Sequence, residues 1–160
     1  MNDYVRLTKD YIKEMDLYEV HEKIIVARKK DLEESIKDVS TKIVKYEQNP
    51  GGSSELTTVE AETAKRLEWE KKLKQCDNEL KTLRQHINRM KKCMEGLTQE
   101  EQEMLRLHYC VGATYDEMSD LMGWSSRTCK RRIHDIRDKV SLMLFGDKMK
   151  ASYRFIEVDS

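Results

Sequence analysis

The stretch Leu97–Phe145, LTQEEQEMLRLHYCVGATYDEMSDLMGWSSRTCKRRIHDIRDKVSLMLF, decides the fold, because it reads as three short helices with separate starts and stops. Thr98 followed by Glu101 has capping-box spacing, and Met104, Leu105, Leu107 and Tyr109 then supply an apolar face until Gly112 ends the run. Thr114 and Glu117 repeat the box ahead of Met118, Leu121 and Met122, and Gly123 closes that second helix. Ser125 opens the third, where Cys129, Ile133, Ile136, Val140 and Met143 recur at alternating spacings of four and three until Gly146.

The second and third of these helices, 114–122 and 125–145, are joined by the tight turn Met122-Gly123-Trp124-Ser125, which is the shape of a helix-turn-helix. With Cys129, Ile133, Ile136 and Val140 turned to a core, the opposite side of the last helix presents Ser126, Arg127, Lys130, Arg131 and His134 near its start. Those donors suit base edges in a major groove, and they are the candidate base-reading residues. Charge changes sign at the turn. From Thr98 to Gly123 there are Glu100, Glu101, Glu103, Asp116, Glu117 and Asp120 against Arg106 alone. From Trp124 to Lys139 there are Arg127, Lys130, Arg131, Arg132, Arg137 and Lys139 against Asp135 and Asp138. The acidic helix is expected to face away from phosphate.

Upstream, the segment NPGGSSE at 49–55 contains the sole proline and two of the six glycines. It reads as the loop, 48–56, of an antiparallel helical hairpin with helices near 4–47 and 57–95. Ile25, Leu32, Ile36, Val39, Ile43 and Tyr46 form one coiled-coil-like seam, continued less regularly by Leu7, Tyr11, Met15 and Tyr18. Trp69, Leu73, Cys76, Leu80, Leu83, Ile87, Met90, Met94 and Leu97 form the other. Thr57 and Glu60 supply cap chemistry for the second helix. Tyr4, Ile12, Leu17, Val20, Ile24 and Val44 are apolar residues off the main seam, and they lead us to expect a homodimer through the hairpin. The domain plan is therefore a hairpin over 1–96, a helix-turn-helix domain over 97–146 and a tail over 147–160.

Composition agrees with an all-α chain. Of 160 residues 38% are charged and 38% hydrophobic, with aromatics at 7%, which favours long solvated helices over a sandwich or barrel. Thirty basic residues cancel thirty acidic ones, so net charge names no partner. Cys76, Cys93, Cys110 and Cys129 have no paired spacing and read as reduced small hydrophobes; no metal site and no cofactor is expected. No apolar run is long enough for a membrane span and no signal-peptide core is present, so a cytoplasmic protein without membrane association is expected. Phosphate-loop, nucleophile-elbow and zinc-protease motifs are absent, and His21, His86, His108 and His134 are far apart, so an enzyme is not expected.

The stretch 97–145 resembles the region-four domain of bacterial sigma factors. Leu97, Thr98, Glu101, Leu105, Arg106, Tyr109, Thr114, Glu117, Leu121, Gly123, Ser125, Thr128, Arg132 and Ile133 fall in register with it, while Trp124, Cys129, Met118 and Ser119 depart from it. The resemblance implies double-stranded DNA as partner, with Ser126, Arg127, Lys130, Arg131 and His134 on base edges. It assigns Thr114, Tyr115, Ser125, Thr128 and Arg137 to phosphate. It also implies host RNA polymerase as a partner, with Met104, Leu107, His108 and Met118 serving either that contact or, more simply, the core. Nothing in the first 96 residues resembles the sigma region that melts the −10 element. A helical N-terminal part joined to a region-four-like domain is similar to the phage-encoded transcriptional regulators of the ArpU and RinA kind. That similarity implies a phage or prophage late-gene activator in a bacterial host cell. Two other readings stay open: a packaging or interaction component resembling a small terminase subunit, and an anti-sigma protein or repressor that uses the hairpin to bind a partner.

Overall fold

The computed structural model describes residues 3–49 and 52–148. Helices α1 (Asp3–Gln48) and α2 (Gly52–Glu95) are long, and three short ones follow: α3 (Gln99–Leu105), α4 (Tyr115–Met122) and α5 (Ser126–Phe145). A π-helical turn, Arg106–Val111, prolongs α3. The all-helical fold read from the sequence holds, and among the described residues there is no strand.

Local chemistry sets each short helix. Thr98 caps α3 and Thr114 caps α4, each in a complete capping box with Glu101 and Glu117. Ser125 caps α5, its Oγ accepting from the Thr128 backbone N–H at 3.1 Å. Gly112 and Gly123 end the π turn and α4 with φ of 83° and 71°, the left-handed region that a Cβ disfavours. At the end of α2 the Gln102 side-chain amide donates to the Met94 and Leu97 carbonyls at 2.7 and 3.3 Å, which satisfies acceptors that a helix terminus leaves open.

One boundary differs from the sequence reading. Helix α2 starts at Gly52, so Thr57 and Thr58 lie inside it and Thr57 is no cap. Extending an existing helix by one residue is cheap, and glycine costs only about 1 kcal/mol there, so a polar Gly-Ser-Ser run can be taken into a first turn. Residues 50 and 51 of the expected loop, and residues 149–160 of the expected tail, lie outside the described residues.

Packing divides the chain at different places from the sequence punctuation. One compact unit joins residues 1–18 with 86–160, and the other comprises Glu19–Gln85. Gly96 interrupts the chain locally, whereas the apolar contacts of the C-terminal helices extend back past it. In the first unit Ile12 and Met15 of α1 and Met90, Cys93 and Met94 of α2 share one core with Leu97, Met104, Leu105, Met118, Cys129, Ile133, Ile136 and Val140. Gly96 permits this close approach: a Cβ there would sit 3.1 Å from the Met143 side chain. Ile12, expected on a free dimer face, is instead fully buried, and Tyr4 packs its ring 5.0 Å from that of Phe145. The reason is that the first turns of α1 have the C-terminal helices to cover, so their apolar residues are buried on more than the hairpin seam.

The second unit is the antiparallel part of α1 and α2. Ion pairs Arg84–Glu22 at 2.7 Å, His21–Glu79 at 3.1 Å and Lys29–Asp77 at 2.7 Å connect residues in opposite chain directions. Ile25, Val39 and Ile43 are buried along one helix and Cys76, Leu80 and Leu83 along the other, as the seams predict. The four cysteines are free thiols, three of them buried. Among the described residues no helix is long and apolar enough to cross a membrane.

Candidate nucleic-acid interface

Helix α5 is positioned by its buried stripe. Cys129, Ile133, Ile136 and Val140 lie in the core of the first unit, so the remaining faces are fixed in direction. The six cations of this helix then divide. Arg132 donates to Glu100 Oε1 at 2.7 Å and lies 3.8 Å above the centre of the Trp124 ring. Lys139 pairs with Glu101 at 3.1 Å, and Arg137 clasps Asp138 through Nε and Nη2 at 3.0 and 2.8 Å. The other three, Arg127, Lys130 and Arg131, are exposed, and none has an ion-pair partner among the described residues.

Arg127, Thr128, Lys130, Arg131, His134 and Asp135 line one open depression on this side of α5. Four of the five expected base-reading residues are thus brought together. The fifth, Ser126, is half-buried and donates its hydroxyl proton to Asp116 of α4. Burial, followed by the positive fields of Arg137 and Lys130, pushes the His134 imidazole below its ordinary pKa, which leaves it neutral near pH 7.

The expected phosphate residues are less uniform. Thr114 is exposed but its hydroxyl accepts from the Glu117 N–H at 3.2 Å, and Ser125 and Thr128 share a hydroxyl hydrogen bond of 2.8 Å. Tyr115 is half-buried, its ring stacked on His108 with centroids 4.7 Å apart. His108 is itself held by a hydrogen bond from Nδ1 to the Ala113 carbonyl at 3.0 Å. Arg137 departs from the expectation: its side chain is only 13% exposed and is spent on Asp138. Its position, one turn beyond His134, returns toward the core, and sequence spacing alone could not show the neighbouring carboxylate capturing it. Of the residues considered for a polymerase contact, Met104 and Met118 are fully buried and serve the core, while Leu107 and His108 are half-buried.

Two acids on this surface carried no role in the sequence reading. Asp135 lines the depression, and Asp116 reaches Ser126 although α4 was expected to keep its acids away from the reading side. The contact joins residues ten apart on different helices, so no local pattern announces it.

The family model for sigma-70, region 4, matches residues 87–140. That span contains the caps, the glycine turn and the exposed cations just described. No curated protein and no solved structure matches the chain. The match supports a DNA-binding, transcription-regulating role for a helix-turn-helix in this part of the chain, and DNA and RNA polymerase are what region-four domains bind.

Proposed function

We propose that this chain is a site-specific DNA-binding regulator of transcription that reads the major groove with the exposed side of α5. The observation that carries the proposal is the division of the α5 cations: three are neutralised by carboxylates, and the three that have no ion-pair partner among the described residues lie together on the first turns. A recognition helix needs that arrangement, since its N-terminal residues meet base edges. Arg127, Lys130, Arg131 and His134 read bases, and Thr114, Tyr115, Ser125 and Thr128 lie near phosphate. The long α1–α2 pair ahead of a region-four-like domain supports the finer reading of a phage or prophage late-gene activator, similar to the ArpU and RinA regulators, working with host RNA polymerase in the bacterial cytoplasm. We assign the chain a binding role, with no catalysis and no cofactor. Homodimerisation belongs to the same proposal: Val20, Ile24 and Val44 are exposed on α1, and a sedimentation mass of one chain would remove it.

Arg131→Ala tests the assignment. Loss of a bidentate guanine contact is expected to weaken specific binding by about 1–3 kcal/mol and to relax one base position. Fluorescence anisotropy on a selected duplex and its single-base variants measures both. Equal weakening on every sequence, with a shallower dependence on salt, would make Arg131 a phosphate contact instead.

A further inference from the structure

Ser126 and Asp116 form a polar pair at the start of α5, and the pair differs in chemistry from the cations that follow it. Asp116 is exposed on the first turn of α4, and its Oδ1 accepts the hydroxyl proton of Ser126. Oδ2 has no hydrogen-bond partner among the described residues. Capping does not explain the carboxylate, because Thr114 and Glu117 already complete the α4 cap. A hydroxyl has one proton and two lone pairs, so Ser126, having given its proton to Asp116, can only accept from a further partner. An ionised carboxylate is an acceptor only. The pair therefore offers no donor to whatever approaches the first turn of α5.

This has a cost that a general DNA binder would not carry. A negative charge held by Ser126 at the start of α5 lowers attraction to any phosphate there, and such a charge is useful where it discriminates between partners. In the major groove guanine presents two acceptors and thymine an acceptor and a methyl group. Cytosine presents only its N4 amino donor, and adenine an N6 donor beside the N7 acceptor. Resting on the reading of α5 as the DNA-reading helix, we infer that Asp116 and Ser126 form an acceptor-only pair that selects cytosine, with adenine second, at the base facing the start of that helix. Asp116 is the reading group, and Ser126 positions it and adds a second acceptor.

The test is selection from randomised duplexes with the full chain, its Asp116→Asn variant and its Ser126→Ala variant, together with affinity for random duplex. Asparagine keeps the size and one acceptor oxygen of Asp116 but adds an amide donor, and Ser125 still caps α5 in both variants. One position rich in cytosine is expected in the wild type. Asp116→Asn should lose that preference by roughly fivefold or more, the equivalent of about 1 kcal/mol, with the other positions unchanged. Its affinity for random duplex should rise, since one negative charge is gone. Ser126→Ala should weaken the same position without that rise. Unchanged base preferences in Asp116→Asn, with only a uniform gain in affinity, would overturn the inference and leave Asp116 as a repulsive charge. A wild type that selects other positions, none of them cytosine or adenine dependent on Asp116, would overturn it while the DNA-reading function stands. A wild type that selects no sequence at all would overturn both.

Discussion

Arg132 shows how a cation in a basic run can be taken out of the interface. It is held between Glu100 and the face of Trp124, and neither partner could offer as much to a lysine, which lacks the planar fork and stacks less well. The ion pair is about half exposed and contributes at most about 1 kcal/mol, with the ring contact adding a similar amount. Arg132→Ala should therefore lower stability by about 1 kcal/mol in urea denaturation and leave base preference unaltered. A changed base preference would place Arg132 on DNA. Arg127, Lys130 and Arg131 were legible because helical spacing puts them opposite the buried stripe. Arg137 was not, since its capture by Asp138 depends on side-chain reach, which spacing does not contain. Trp124 was visible as a departure from the region-four pattern; the structure packs it against the core and places its ring under Arg132.

The elements explain why the C-terminal helices do not complete their own core. Ile12 of α1 is fully buried among residues of α2, α3, α4 and α5, and the Cys110 thiol donates to its carbonyl at 3.5 Å. Ile12→Ala should cost about 2–5 kcal/mol, the range for a large-to-small change in a tight core. Urea unfolding followed by circular dichroism would register it, and a loss below about 1 kcal/mol would show that α1 only rests against this unit. His86 of α2 adds a pH term. Its ring meets Tyr11 and Tyr18 edge-on at 4.4 and 4.6 Å, and its Nε2 is buried with no hydrogen-bond partner among the described residues. Burial first, and then Arg89, push its pKa below the ordinary value near 6.5. The unfolded chain then binds the proton more readily than the folded one. Stability contributed by the neutral ring is present above the unfolded value and is lost as pH falls through about 6.5 toward the lowered native one. Thermal melts should show a lower midpoint at pH 5.5 than at 7.5, and His86→Phe should flatten that difference. An equal slope in the variant would assign the effect to other groups. The caps, the glycine stops and the periodic stripes made these elements legible in the sequence. The role of the first 18 residues was not, because a heptad-like stripe shows that a face is buried without saying by what.

At the scale of the molecule, the chain assigns different work to its two units. The unit of residues 19–85 is an ion-paired antiparallel helix pair, and the one joining 1–18 to 86–160 carries a region-four-like helix-turn-helix with three exposed cations that have no ion-pair partner among the described residues. Fold class could be read from patterning alone, since two long charged stripes and three capped short helices leave little room for other architectures. The regulatory target could not, because an operator is recognised by a surface whose partner is not written in the chain. The claim that joins these scales is that the start of α5 reads DNA sequence. Its most direct measurement is recovery of genomic and prophage DNA bound by the purified full-length protein, in parallel with a variant carrying Arg127→Ala, Lys130→Ala and Arg131→Ala together. The account predicts sharp enrichment at a few sites upstream of packaging and morphogenesis genes, abolished in the triple variant while its melting temperature is preserved. Enrichment at the same sites by the triple variant, or none by either protein, would contradict it.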